Sequence, residues 1–209
     1  MAGFLEHKLK DERKMNNSSN SNLLIDGYYD GFDQIARSFF SDKDNIENAN
    51  ECIRLLKSTK EDNSTIYIIG NGGSAAVAEH TAIDLTKNAG LKALALSGSP
   101  MLTTFSNDYG YENVFKKFIE LFANKEDVLI AISSSGSSEN IINACKEAKK
   151  KGSKVVTLSG FEQDNPLRRL GDIDFWVESK AFGYLEILHG LILHWMVDSM
   201  IGSEIYMIR

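Results

Sequence analysis

The stretch IYIIGNGGSAAVAEHTAIDL, residues 66–85, predicts a buried strand, a glycine turn and a helix in succession. Its first four residues are apolar on both strand faces, which is typical of a parallel sheet whose strands are joined by crossover helices. The turn GNGGS, residues 70–74, follows the carboxyl end of the strand. Ligands bind at this end of parallel sheets, so we expect a binding site here.

The same alternation of strand and helix continues along the chain and predicts an α/β fold with a parallel sheet. Strands are predicted at residues 65–70, 92–97, 127–136, 154–160 and 173–179, and crossover or closing helices at about 74–87, 113–123, 138–152 and 182–200. Two helical segments between residues 23 and 60 precede the first strand, with Ser41 as the expected N-cap of the second. The polar residues 1–22 are predicted to be a flexible extension of a single domain, residues 23–209.

Composition limits the possible partners. The 209 residues are 43% hydrophobic, enough for a full core, and carry a formal net charge of −6. An acidic chain lacks the basic surface that binds nucleic acid or anionic membranes. No apolar run approaches the ~20 residues of a membrane span, and the charged N-terminus does not resemble a signal peptide, so we expect a cytoplasmic protein. Cys52 and Cys145 are expected to be buried, reduced thiols.

Two turns are candidate phosphate sites. SSSGSS, residues 133–138, follows a buried strand and precedes a helix, so its hydroxyls and the first backbone N–H groups of the helix can bind a phosphate monoester. In GNGGS the glycines allow close approach to a ligand, and Ser74 is a candidate helix cap. Neither turn matches a dinucleotide fingerprint or a Walker A loop, and we expect no nucleotide cofactor. The third strand exit, SGSP at 97–100, is equally consistent with a plain turn.

Two helices carry acid and imidazole side chains. His80 and Asp84 are four residues apart and share one helix face. In the last helix, Glu186 and His194 differ by roughly 80° around the axis and can face one point, whereas His189 is roughly 140° from His194 and should face another surface. Two histidines and two carboxylates could form a divalent-metal or acid–base site, although on spacing alone they could also be isolated structural residues.

Taken together, GNGGSA, NDYGYE, SSSGSS and the Glu/His/His spacing of the last helix resemble, in order and spacing, the phosphoheptose isomerases of the sugar-isomerase (SIS) domain superfamily. The resemblance covers about residues 24–202. It implies a doubly wound parallel sheet of about five strands, with N-terminal helices that pack in a homotetramer. It also implies a ketose–aldose isomerase that converts sedoheptulose 7-phosphate into a manno-heptose 7-phosphate for bacterial lipopolysaccharide or capsule.

The resemblance also implies a role for each matching residue. Asn71, Gly72 and Gly73, with Ser74 in the same turn, would line the sugar phosphate. Substrate contacts would come from Asn107 and Asp108, and the phosphate would be bound by Ser133, Ser134, Ser135 and Ser138. A zinc ion would be held by His80, Asp84, Glu186 and His194. Proton transfer would involve Asp84, Glu186 and His194.

Two of these residues depart from the family pattern. The family normally has Glu where this chain has Asp84, and Gln where it has Glu186. Asp is one methylene shorter, which moves its oxygen by about 1 Å relative to the substrate carbon. Glu186 adds a negative charge and offers an alternative base. Two other readings therefore stay open: an isomerase of another phosphosugar, or a non-catalytic SIS adaptor that binds a phosphosugar or a replication-initiation protein.

Overall fold

The computed structural model describes residues 25–96 and 100–205. Its helices are α1 (Ile25–Ser41), α2 (Lys43–Glu61), α3 (Gly73–Lys87), α4 (Pro100–Tyr109), α5 (Val114–Phe122), α6 (Glu139–Lys151) and α7 (Phe182–Ile201). Its strands are β1 (Ile66–Gly70), β2 (Ala93–Ala95), β3 (Val128–Ser133), β4 (Lys154–Ser159) and β5 (Ile173–Trp176). Short 3-10 helices occupy Tyr111–Asn113 and Arg168–Leu170. The predicted extension 1–22 and the turn residues 97–99 lie outside the described residues.

The five strands form one parallel sheet in the order β2-β1-β3-β4-β5, so the predicted fold class is confirmed. Within the sheet, the chain first forms β1, then passes outward to β2, and then crosses to β3 on the other side of β1. The winding direction therefore reverses between β1 and β3. In open α/β sheets a ligand crevice forms at such a reversal, outside the carboxyl ends of the two strands.

The strands β1 and β3 are buried because neither has a polar face, whereas the edge strand β2 is partly exposed. Every residue of both strands is buried, and alternate side chains point to opposite layers of helices. One layer packs α5 and α6 against residues such as Ile69 and Leu129, and contains the buried Cys145. In the other layer α3 and α2 both pack against α7. Cys52 is also buried and free, as expected.

Two local predictions are wrong. Ser41 ends α1, and Asp42 is the N-cap of α2, with its Oδ1 accepting a hydrogen bond of 2.8 Å from the backbone N–H of Asp44. Asp and Ser are equally good N-cap residues, so the sequence alone did not distinguish Ser41 from Asp42 as the start of α2. The turn expected at SGSP, residues 97–100, does not include Pro100, which begins α4, where its missing N–H costs nothing.

The chain divides into two compact units, Met1–Gln34 and Ile35–Arg209, and the division falls within α1. All site residues described below belong to the second unit. Within residues 25–96 and 100–205, no helix is both long and apolar enough to cross a membrane. The domain boundary predicted at residue 23 stays a prediction.

Candidate phosphate cavity and metal site

The turns that follow β1 and β3 meet at the point where the winding of the sheet reverses. Gly70, the last residue of β1, pairs with Ile132 of β3, which places the GNGGS turn beside the serine turn. A cavity of about 250 Å³ lies between them. Its lining residues are Asn71, Gly72, Gly73, Ser74, Ile132, Ser133, Ser134, Ser135, Ser138, Phe182 and Glu186.

All eight residues that sequence analysis assigned to the two turns line this cavity. The helices α3 and α6 both begin at its edge, at Gly73 and Glu139. Their first N–H groups carry a partial positive charge that favours an anion. The described lining residues include no Lys or Arg. A phosphate here would therefore be bound by hydroxyls and backbone amides rather than by a counter-charge.

The backbone of the GNGGS turn depends on its glycines. Gly72 is the N-cap of α3 and has φ +55°, a left-handed conformation that glycine adopts without strain. At Gly73 a Cβ atom would collide with the carboxyl group of Glu186, because that carboxyl lies directly against the first turn of α3. The expectation that Ser74 caps this helix is wrong: Ser74 is buried inside the first turn.

The serine turn leaves polar groups available to a ligand. Gly136 has φ +63° and reverses the chain. Ser138 is the N-cap residue of α6, but its hydroxyl makes no capping hydrogen bond and instead accepts one of 3.2 Å from Ser133 Oγ. The backbone of Ser134 is held from β4, where the N–H of Gly160 donates to its carbonyl. The backbone of the turn is thus held from β4, while its hydroxyls bond within the turn: the N–H and the hydroxyl of Ser137 both donate to Ser135 Oγ.

A second group of polar residues lies where α3 packs on α7. His80 Nε2 is 3.2 Å from Asp84 Oδ2, and His194 Nδ1 is 3.5 Å from the same oxygen. The two imidazole rings are 4.9 Å apart between centroids. One potential ligand atom from each of the three residues lies within 4.8 Å of the others, so the group could hold a metal ion. Asn88 Nδ2 donates to the other oxygen of Asp84, which orients the carboxylate.

The structure does not bring Glu186 into this group. Glu186 and His194 share one face of α7, as the helical angle predicted, but eight residues separate them by about 12 Å along the axis. The angle alone did not account for this rise. The carboxyl of Glu186 therefore lies at the phosphate cavity, and the four-residue metal set expected from the family resemblance is divided between two places.

His189 faces away from both places. It is fully buried, and its Nε2 lies 3.3 Å from the carbonyl oxygen of Ser159, while its Nδ1 has no hydrogen-bond partner within residues 25–96 and 100–205. Burial lowers the pKa of this imidazole to about 4, so the side chain is neutral near pH 7. His189 therefore points in a different direction from His194, as expected, and it points into the core.

Asn107 and Asp108 lie on α4 and do not line the cavity. Both are exposed, and Asn107 Nδ2 donates to Asp108 Oδ1. The next residues of the same segment do reach the site, because Tyr111 Oη donates to Asn71 Oδ1 over 2.8 Å. Tyr111 belongs to the motif NDYGYE, but the sequence predicted no role for Tyr111, Asn140 or Phe182. Asn140, at 3% exposure, also bonds to Asn71.

Comparison with known proteins gives consistent results. Residues 27–160 match the family model described as SIS domain. The phosphoheptose isomerase of Helicobacter pylori strain P12 is 37% identical over 79% of this chain and 93% of its own length. Among solved structures, phosphoheptose isomerases from Neisseria gonorrhoeae and Francisella tularensis superpose with TM-scores of 0.77 and 0.79 at 29% and 26% identity. They cover 84% and 86% of this chain, and 97% of their own chains.

Proposed function

Because the chain belongs to the SIS domain family and, within it, to the phosphoheptose isomerases, we propose that it interconverts sedoheptulose 7-phosphate and glycero-manno-heptose 7-phosphate. The observation that carries the proposal is the cavity at the β1/β3 reversal. It combines a serine turn, two helix N-termini and one carboxylate, Glu186, in one small space. Its volume of about 250 Å³ has room for a phosphate and part of a sugar, and the open side admits the rest.

The reaction moves a carbonyl from C2 to C1 and needs two proton transfers. A base removes a proton from C1 of the ketose while the C2 oxygen gains a proton, which gives an enediol. The C1 oxygen then loses its proton and C2 receives one, which gives the aldose. A carboxylate and an imidazole are suited to these steps, and each such group typically contributes 10²–10⁴-fold, roughly, to the rate.

We assign the carbon proton transfer to Glu186. Its carboxyl lines the phosphate cavity, whereas Asp84 is 13% exposed and lies against two imidazoles. His194, nearly half exposed and on the same face of α7 as Glu186, would act as the acid on the substrate oxygens, with the sugar lying along α7 between the two side chains. The two carboxylates that depart from the family pattern would thereby exchange roles. Asn107 and Asp108 stay proposed as contacts to the distal part of the sugar.

His80, Asp84 and His194 are the residues we propose to hold zinc. A tetrahedral zinc with bonds of about 2.1 Å places its ligand atoms about 3.4 Å apart. The observed separations of 3.2 and 3.5 Å from Asp84 Oδ2 to the imidazole nitrogens fit that geometry. Three protein ligands leave a position open, as catalytic zinc sites do. When bound there, zinc would polarise the substrate carbonyl and stabilise the enediolate.

We further propose a cytoplasmic homotetramer that serves lipopolysaccharide or capsule synthesis. Self-association is supported by large apolar side chains that are exposed on the two helices of the site: Ile83 on α3 at 60%, and Ile187 and Leu191 on α7 at 53% and 42%. Such side chains in a row are typical of surfaces that a partner covers. A charged sugar phosphate does not cross a lipid bilayer unaided, which supports the cytoplasm as location.

The test is turnover of sedoheptulose 7-phosphate by the purified protein, with and without added zinc. Absence of any aldose product under both conditions would refute the proposed activity. Glu186→Gln and Asp84→Asn then separate the two candidate bases. We expect Glu186→Gln to reduce kcat by about 10² or more. The exposed Glu178 lies outside the cavity, and Glu178→Gln should keep wild-type kcat. If Glu186→Gln is active and Asp84→Asn is not, Asp84 is the base.

A further inference from the structure

Asn71, the first residue after the β1 exit glycine, is held by a closed set of hydrogen bonds. Its Nδ2 donates to Asn140 Oδ1 over 3.0 Å, and Asn140 Nδ2 donates back to Asn71 Oδ1 over 2.9 Å. Tyr111 Oη donates to the same Asn71 oxygen over 2.8 Å. The two side chains that hold Asn71 come from different elements: Asn140 from the first turn of α6, and Tyr111 from the 3-10 helix before α5.

The direction of each amide follows from this set. The backbone N–H of Ile141 can only donate, and it lies 3.0 Å from one terminal atom of Asn140, which must therefore be the oxygen. The nitrogen of Asn140 then faces Asn71, and the Asn71 atom that accepts from it must be oxygen. Tyr111 donates to that oxygen too, so both lone pairs of Asn71 Oδ1 are used. Of the two hydrogens on Asn71 Nδ2, one bonds to Asn140 and the other has no partner among the residues that the structure describes.

The remaining hydrogen belongs to a residue that lines the phosphate cavity. We propose that Tyr111 and Asn140 are positioning residues, which hold Asn71 so that its last amide N–H donates to an oxygen of the bound phosphosugar. The inference rests on the proposed function for the identity of that ligand. The two residues differ in environment: Asn140 is 3% exposed, whereas Tyr111 is 53% exposed and bonds to Asn71 at the surface.

The segment that carries Tyr111 is itself fixed. Gly110 has φ +80° and turns the chain from α4 into the 3-10 helix, and the backbone N–H of Asn113 donates to its carbonyl. Asn143 Nδ2, one turn further along α6 than Asn140, donates to the carbonyl of Glu112. The same helix thus holds both partners of Asn71, and the NDYGYE segment contributes to the cavity through Tyr111 rather than through direct lining.

The test compares Tyr111→Phe and Asn140→Asp with the control Tyr109→Phe. Tyr109 is a neighbouring exposed tyrosine that contacts Phe105 and Lys117 and has no bond to Asn71. Removing the Tyr111 hydroxyl should raise KM for sedoheptulose 7-phosphate about tenfold, with kcat changed less. Asn140→Asp turns a donor into a second carboxylate oxygen against Asn71 Oδ1. It should raise KM further, about 10²-fold, because the two oxygens repel each other.

Titration calorimetry with sedoheptulose 7-phosphate, and separately with inorganic phosphate, measures the same effect without turnover. We expect weaker binding of the sugar phosphate to Tyr111→Phe and unchanged binding to Tyr109→Phe, with the unfolding temperatures of both tyrosine variants within 2–3 °C, roughly, of wild type. If inorganic phosphate is weakened equally, the acceptor is the phosphate group; if it is not, the acceptor is a sugar oxygen. Either result supports the proposal.

Kinetic and binding constants of Tyr111→Phe equal to those of Tyr109→Phe would overturn the proposal. A lower kcat of Tyr111→Phe with unchanged KM and unchanged binding would also overturn it, because a residue that positions a binding donor should affect KM more than kcat. A wild-type protein that binds sedoheptulose 7-phosphate without converting it would refute the proposed function alone, because the binding ratios still decide the roles of Tyr111 and Asn140. A wild-type protein that binds neither ligand would refute both.

Discussion

Replacement of Gly73 by Ala should separate stability from activity. The glycine begins α3, and its φ lies outside the left-handed range, so alanine fits its backbone. The three atoms nearest to a Cβ atom there would be the carboxyl carbon and the two carboxyl oxygens of Glu186, and all three would collide with it. That carboxyl ends a flexible side chain and can move aside. We therefore expect the cost of the collision to be small for folding and large for catalysis.

The magnitudes follow from the two effects. Gly→Ala at a compatible position stabilises a protein by about 0.4–1 kcal/mol through the unfolded chain, which offsets the cost of rotating Glu186. Unfolding free energy should thus stay within about 1 kcal/mol of wild type. To reach normal contact distance the carboxyl must move by about 1 Å or more, and displacement of a reacting group by that distance costs about 10²-fold in rate.

Urea unfolding and kcat/KM for sedoheptulose 7-phosphate are the two measurements. Gly27→Ala is the matched control, because Gly27 lies inside α1 and, among the described residues, no atom lies within 4 Å of the position of its Cβ. That variant should gain up to about 1 kcal/mol from helix propensity and keep wild-type kcat/KM. A Gly73→Ala protein with kcat/KM within threefold of wild type, or a Gly27→Ala protein that loses as much activity, would refute this account of Glu186.

Two further predictions concern imidazoles. His80→Ala and His194→Ala should each lower the zinc content of the purified protein, because either change leaves Asp84 and one histidine as the only proposed ligands. Elemental analysis measures the zinc content. Zinc retained at the wild-type ratio in both variants would contradict the proposed site. Since the pKa of His189 falls from 6.5 to about 4 on folding, the unfolded chain binds more protons between these values. The free energy of unfolding should therefore fall as pH drops from 6.5 to 4, and His189 should account for on the order of 3 kcal/mol of that fall. The free energy of unfolding of His189→Gln, measured in urea, should depend less steeply on pH over that interval. A slope equal to that of wild type would contradict the buried neutral imidazole.

Sequence alone was least able to predict α4. The segment PMLTTFSNDY has no residue that is fully buried, and it is rich in Thr, Ser, Asn and Asp, which have low helix propensity. Met101, Leu102 and Phe105 nevertheless pack on the core beside α5 and stabilise the helix. Tertiary contacts outweighed local propensity here, and no pattern within ten residues could have predicted that outcome.

Sequence by itself determined the parts of this protein that depend on neighbours along the chain. Continuous apolar runs predicted β1 and β3 and the parallel sheet, and the turns at 70–74 and 133–138 predicted the cavity residues, because strand exits and helix starts are local features. Only the tertiary structure decided which exits meet: β1 and β3 lie side by side although their last paired residues, Gly70 and Ile132, are 62 positions apart in the chain. It also decided that Glu186 lies at the cavity while His194 lies with His80 and Asp84. An angle around a helix can be read from spacing, but the position of one element along another is set by packing between distant segments.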